Sequence, residues 1–111
     1  MESTRPQPTE YAPFYETYIA LVPGTDVWPA LRGQAAEVER LFGGIGADDE
    51  TFRYAPNKWT FRDVAGHLID GERIFGARAF CFSRGEQAPL PSFDENVYVV
   101  AGKYGGVPLR E

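Results

Sequence analysis

The chain has 111 residues, the size of one small domain, and its 43% hydrophobic and 14% aromatic residues are typical of a folded protein rather than a disordered one. A net charge of −5, with the basic residues scattered, argues against a nucleic-acid surface. The sequence contains no apolar run that would predict a membrane helix or an export signal. The single cysteine, Cys81, cannot form an internal disulfide and favours a reducing, cytoplasmic location.

The first quarter of the chain predicts little regular structure. Residues 1–10 are rich in proline and polar side chains, and we expect them to be flexible. Tyr11 to Val22 is expected to form either a short helix or an extended arm, ending at Pro23-Gly24.

A first long helix is predicted over about residues 26–45. Thr25 or Asp26 is a suitable N-cap, Pro29 falls in the first turn, where its missing N–H is tolerated, and the glycines from Gly43 onward end the helix. Its apolar residues recur at helical spacing and form one stripe, which indicates that the helix packs against another element. The stripe consists of Val27, Leu31, Ala35, Val38, Leu41, Phe42 and Ile45.

A second long helix is predicted over about residues 60–84. Thr60 as N-cap with Asp63 three residues later resembles a capping box, and Gly85 is a suitable C-terminal stop. Because both helices are amphipathic and one loop joins them, we predict that they pack as an antiparallel hairpin. The prolines and glycine pairs that follow predict a long loop over residues 85–111.

Each predicted helix carries one polar residue on its apolar stripe. Gln34 lies in the middle of the first stripe, and Glu72 lies between Leu68 and Phe75 on the second, at about the same height in a hairpin. A buried carboxylate must be paired, hydrogen-bonded or protonated, so we expect Gln34 and Glu72 to meet. Two interpretations stay open: a buried polar pair that fixes helix register, or a carboxylate with a catalytic or metal-supporting role.

His67 is the only histidine of the chain. It lies at the edge of the apolar stripe of the second predicted helix, with Asp63 and Asp70 on the polar side of that helix. From the residues alone, the simplest interpretation is a half-buried histidine hydrogen-bonded to one of these carboxylates. A catalytic zinc usually has three protein ligands. His67 with Asp70 supplies at most two.

Several motifs resemble the DinB-like superfamily, a group of four-helix bundles regarded as metal-dependent hydrolases and thiol transferases. They are "NKWTFRDVAGHLIDGERIF" and "SRGEQAPLPSFDEN", and the likeness runs from about Tyr11 to the end of the chain. The resemblance implies an all-α fold, here the bundle truncated to its first two long antiparallel helices, with residues 11–111 as a partial domain. It also implies a divalent metal, zinc or nickel, held by one histidine on the second helix and an H-x-x-x-H pair on the last. By resemblance His67 is the first of these ligands, while the other two have no counterpart here.

Three functions are compatible with the sequence. In the first, the chain is the N-terminal portion of a metal-dependent enzyme. The sequence does not identify the catalytic residues of that enzyme, and Gln34, Asp70 and Glu72 are candidate supporting groups. Alternatively, it is a non-catalytic helical module that forms a homodimer through its exposed half-core, or a fragment without a role of its own. We expect the chain alone to bind divalent metal weakly, and we expect neither nucleic acid nor a membrane as partner.

Overall fold

The computed structural model describes residues 4–111, which are helical and contain no strand. They form two compact units, residues 4–44 and 45–111. No helix within this range is long and apolar enough to cross a membrane. The elements in chain order are a 3-10 turn at Pro13–Tyr15, α1 at Glu16–Ala20, α2 at Val27–Gly43, α3 at Phe61–Ser83, α4 at Glu95–Gly102 and a 3-10 turn at Tyr104–Gly106.

The first unit begins with a segment tied down by one arginine. The Arg5 guanidinium donates to the carbonyl oxygens of Ile19 at 2.7 Å, Val22 at 2.8 Å and Gly24 at 2.6 Å, at and beyond the end of α1. Of the two alternatives for residues 11–22, the short helix forms, as α1. Residues 1–3 of the opening predicted to be flexible lie outside the described range.

Helix α2 begins and ends within two residues of the predicted bounds. Asp26 is its N-cap, and the carboxylate accepts from the Trp28 N–H at 3.2 Å. This contact satisfies one of the backbone donors that a helix leaves free at its first turn.

Helix α3 has the predicted signals at both ends. The Thr60 hydroxyl accepts from the Asp63 N–H at 3.1 Å, while the Asp63 carboxylate accepts from the Thr60 N–H at 3.0 Å. At the other end Gly85 adopts a left-handed φ of 75°, which glycine tolerates best, and the Glu86 N–H reaches back to the Cys81 carbonyl at 3.1 Å. Since α2 and α3 belong to different units, their antiparallel packing stays a prediction.

The prediction of a long loop over residues 85–111 is wrong in its middle, where α4 forms. The described chain therefore has more helices than the two long ones. Asp94 is the N-cap and accepts from the N–H groups of Asn96 at 2.9 Å and Val97 at 3.2 Å. The valine-rich sequence of α4 has low helix propensity, but Val99 is buried. Tertiary burial therefore stabilises a helix that local sequence disfavours.

Candidate functional site on helix α3

His67 lies in the second turn of α3 and is half-buried. The indole of Trp59, just before the N-cap Thr60, contacts its imidazole, with ring centroids 4.9 Å apart and ring planes tilted by 43°. The fixed start of α3 therefore places an aromatic wall beside the only imidazole of the chain.

The two carboxylates expected to pair with His67 have other partners. Asp63 is used in the capping box, and Asp70 accepts a hydrogen bond from the Tyr104 hydroxyl at 2.5 Å. Within residues 4–111, His67 therefore does not form the predicted hydrogen bond to either one. The bond to Asp70 raises the pKa of the Tyr104 phenol, and burial raises it further.

Tyr104 belongs to a C-terminal strap, which we define as residues 103–109, that lies against α3. Its ring packs directly on Gly66, the one buried residue of α3. A Cβ added at Gly66 would lie 2.1 Å from the Tyr104 ring, and one at Gly102 would lie 2.4 Å from it. The glycine before His67 is thus what lets the strap approach the helix.

Glu50 anchors both the strap and α3. It is only 4% exposed, and its Oε2 accepts from Arg62 Nε at 2.9 Å and from the Leu109 N–H at 3.1 Å. Arg62 also donates through Nη1 to the Gly105 carbonyl at 2.7 Å. The Leu109 N–H first, and the Arg62 guanidinium second, hold the pKa of Glu50 below its usual value.

These strap contacts were not predicted from the sequence. Glu50 and Arg62 are 12 residues apart, Asp70 and Tyr104 are 34 apart, and Glu50 and Leu109 are 59 apart, so no helical or turn spacing links them. One local signal was present. A glycine inside a helix is unfavourable and often marks a close approach, and Gly66 is such a residue.

Gln34 and Glu72 are exposed, and they belong to different units. Their predicted meeting therefore stays a prediction. Asp70 is half-buried and faces the strap through Tyr104. Of the predicted site residues, His67 and Asp70 both lie on the N-terminal half of α3, but the structure does not join them by a hydrogen bond.

No group of three or more His, Cys, Asp or Glu side chains within residues 4–111 is arranged to hold a metal ion. His67 is the only imidazole, and one oxygen of Asp70 already accepts a strong hydrogen bond.

Comparison with known families agrees with the resemblance read from the motifs. The family described as the DinB superfamily matches residues 30–102, which include most of α2, all of α3 and α4, and the G-H-L-I-D motif. No curated protein and no solved structure matches the chain. The match covers well over half of the sequence, and the chain belongs to the DinB superfamily.

Proposed function

We propose that this chain is the N-terminal portion of a DinB-type metal-dependent enzyme, of the hydrolase or thiol transferase kind, and that His67 is one ligand of its metal. The remaining ligands come from polypeptide outside this chain. A divalent metal, zinc or nickel, would supply Lewis-acid chemistry to the completed site.

The placement of His67 is the observation that supports this proposal. The imidazole is half-buried, Trp59 restricts its ring, and both nearby carboxylates are engaged elsewhere, so its nitrogens are not committed to Asp63 or Asp70. A ligand needs a restricted ring with a free nitrogen. The site chemistry depends on neutral imidazole, because protonation removes the lone pair that binds the metal.

We expect the 111-residue chain to bind zinc and nickel only weakly, because one imidazole cannot provide the three protein ligands of a catalytic site. Calorimetric titration of each metal into the chain and into His67→Ala measures this. Weak binding that becomes weaker still in His67→Ala is the expected result. Tight binding at one metal per chain that disappears in His67→Ala would show that the chain holds a complete site, against the proposal.

A second candidate function is self-association through α3. Phe61, Leu68, Phe75 and Phe82 recur every seven residues along this helix, and each is between 37% and 64% exposed. Exposed apolar residues along one helix face are typical of a contact surface, and a spacing of seven residues suits a second helix. A second copy of α3 offers the same stripe and is the occupant that this candidate requires.

Sedimentation equilibrium of three proteins tests this candidate. The unchanged chain should dimerise as its concentration rises, and Phe75→Glu should weaken the dimer at least about tenfold, since it places a charge on the stripe. Phe80→Glu is the matched control, because Phe80 is as exposed as Phe75 but lies off the stripe. A monomer at every concentration, or equal effects of both substitutions, would rule the candidate out.

A further inference from the structure

A groove of about 470 Å³ lies at the start of α3. Its walls are largely apolar and include the rings of Phe52, Tyr54, Trp59 and Phe61. Phe52 and Phe61 stack on each other, with centroids 6.3 Å apart and ring planes inclined by 27°. Volumes of this order and aromatic walls are typical of small-molecule sites.

The polar groups of the groove carry one sign of charge. Among residues 4–111, Lys58 is the only charged residue that lines it, and its Nζ lies 5.9 Å from the centroid of the Tyr54 ring. Within the described chain no carboxylate forms an ion pair with Lys58. The chain as a whole has a charge of −5, so Lys58 places a positive group beside the groove on a protein that is net negative.

The backbone around Lys58 is held in place. Arg53 donates through Nη1 to the Lys58 carbonyl at 2.7 Å, and the Lys58 N–H donates to the Ala55 carbonyl at 3.3 Å. Asn57 before it has a left-handed φ of 62°, which turns the chain into the groove wall. Asn57 and Asn96 add amide groups at the lining. The lysine is therefore presented by a fixed turn.

We propose that this groove binds a small organic anion with an aromatic body, with the ring against the aromatic walls and the anionic group near Lys58. Aromatic walls favour a planar apolar group, and the ammonium group favours a carboxylate over a neutral or cationic end. Because the groove is open, the contact with Lys58 is partly screened by water, and affinity is modest. His67 does not line the groove, although Trp59 lines it and also contacts the His67 imidazole.

The test uses three probes of one skeleton on metal-free protein with EDTA present. They are 2-naphthaleneacetate, its neutral amide 2-naphthaleneacetamide, and the cationic 2-(2-naphthyl)ethylamine. Replacing Trp28 with Phe leaves Trp59 as the one indole of the chain, so its N–H resonance in a nitrogen-15 correlation spectrum reports the surroundings of that groove residue. We expect a saturable shift with the anion at a dissociation constant of about 1 mM.

Charge and wall variants decide between specific and general binding. We expect the unchanged protein to bind the anion about two- to fivefold more tightly than the amide. Lys58→Gln should remove this difference in affinity, while Lys103→Gln, at the other lysine of the chain, should preserve it. Phe52→Ala should weaken anion binding at least about fivefold, and Phe80→Ala, remote on α3, should not.

Three results would overturn the proposal. The first is that no probe gives a saturable shift of the Trp59 resonance. The second is that the anion, the amide and the amine bind with equal affinity. The third is that Lys58→Gln still binds the anion more tightly than the amide. Because no metal is present, failure here leaves the metal proposal intact, and failure of the metal titration leaves the groove intact.

Discussion

Replacing Gly66 with Ala should lower the free energy of unfolding of the 45–111 unit by about 3 kcal/mol, an effect typical of severe overpacking. The added Cβ would lie 2.1 Å from the Tyr104 ring, a distance at which the ring must move. Moving it breaks the hydrogen bond to Asp70 and opens the strap. Guanidinium unfolding followed by Trp59 fluorescence in the Trp28→Phe background measures the change in this unit.

Gly76→Ala is the matched control on the same helix. A Cβ at Gly76 meets nothing within 4 Å, so the substitution should instead stabilise the unit by about 0.5–1 kcal/mol through the helix preference of alanine. In a Tyr104→Ala background the ring is gone, and Gly66→Ala should then behave like Gly76→Ala. If Gly66→Ala destabilises equally with and without the Tyr104 ring, the close contact is not the cause.

Glu50→Gln should lower the melting temperature of the same unit by on the order of 10 °C at pH 7. The substitution keeps the shape of the side chain but removes the negative charge that Arg62 and the Leu109 N–H face. Glu37→Gln is the matched control. Glu37 also pairs with an arginine, Arg40, but the pair is exposed and lies in the other unit, so no change in the 45–111 unit is expected.

The pH dependence of this effect follows from the lowered pKa of Glu50. A carboxyl group whose pKa is lower in the folded state stabilises that state fully above its unfolded pKa, about 4.3 for Glu, and loses this stabilisation as the pH falls through the folded value. The difference in melting temperature between the unchanged protein and Glu50→Gln should therefore narrow below about pH 4. A difference that is constant from pH 7 to pH 3 would show that the charge of Glu50 is not what stabilises the strap.

Sequence patterns predicted α2 and α3 well because their signals are local. Asp26, the Thr60 and Asp63 pair and Gly85 each act on backbone groups within a few residues, so spacing alone identifies them. Helix α4 was missed because its valine-rich sequence predicts poorly as a helix. The Asp94 cap was the one local signal that favoured it.

The strap could not be predicted because its contacts join residues that are distant in sequence. The Glu50 carboxylate meets a backbone N–H of Leu109, and any residue could have supplied that donor. Likewise, no sequence pattern indicates that Tyr104 and Asp70, 34 residues apart, form a hydrogen bond. The place of His67 on the second helix was predicted from the sequence, but its ring contact with Trp59 became visible only in the folded unit.

The number of protein donors around a metal ion tests the central proposal most directly, namely that His67 is one ligand of a site completed from outside this chain. Cobalt(II) can be titrated in place of zinc, because its visible absorption is strong in a four-coordinate protein site and weak when water fills most positions. For the 111-residue chain we predict weak bands that do not saturate at one cobalt per chain. Intense bands that saturate at one equivalent and vanish in His67→Ala would contradict the proposal, because the chain would then hold a complete site alone.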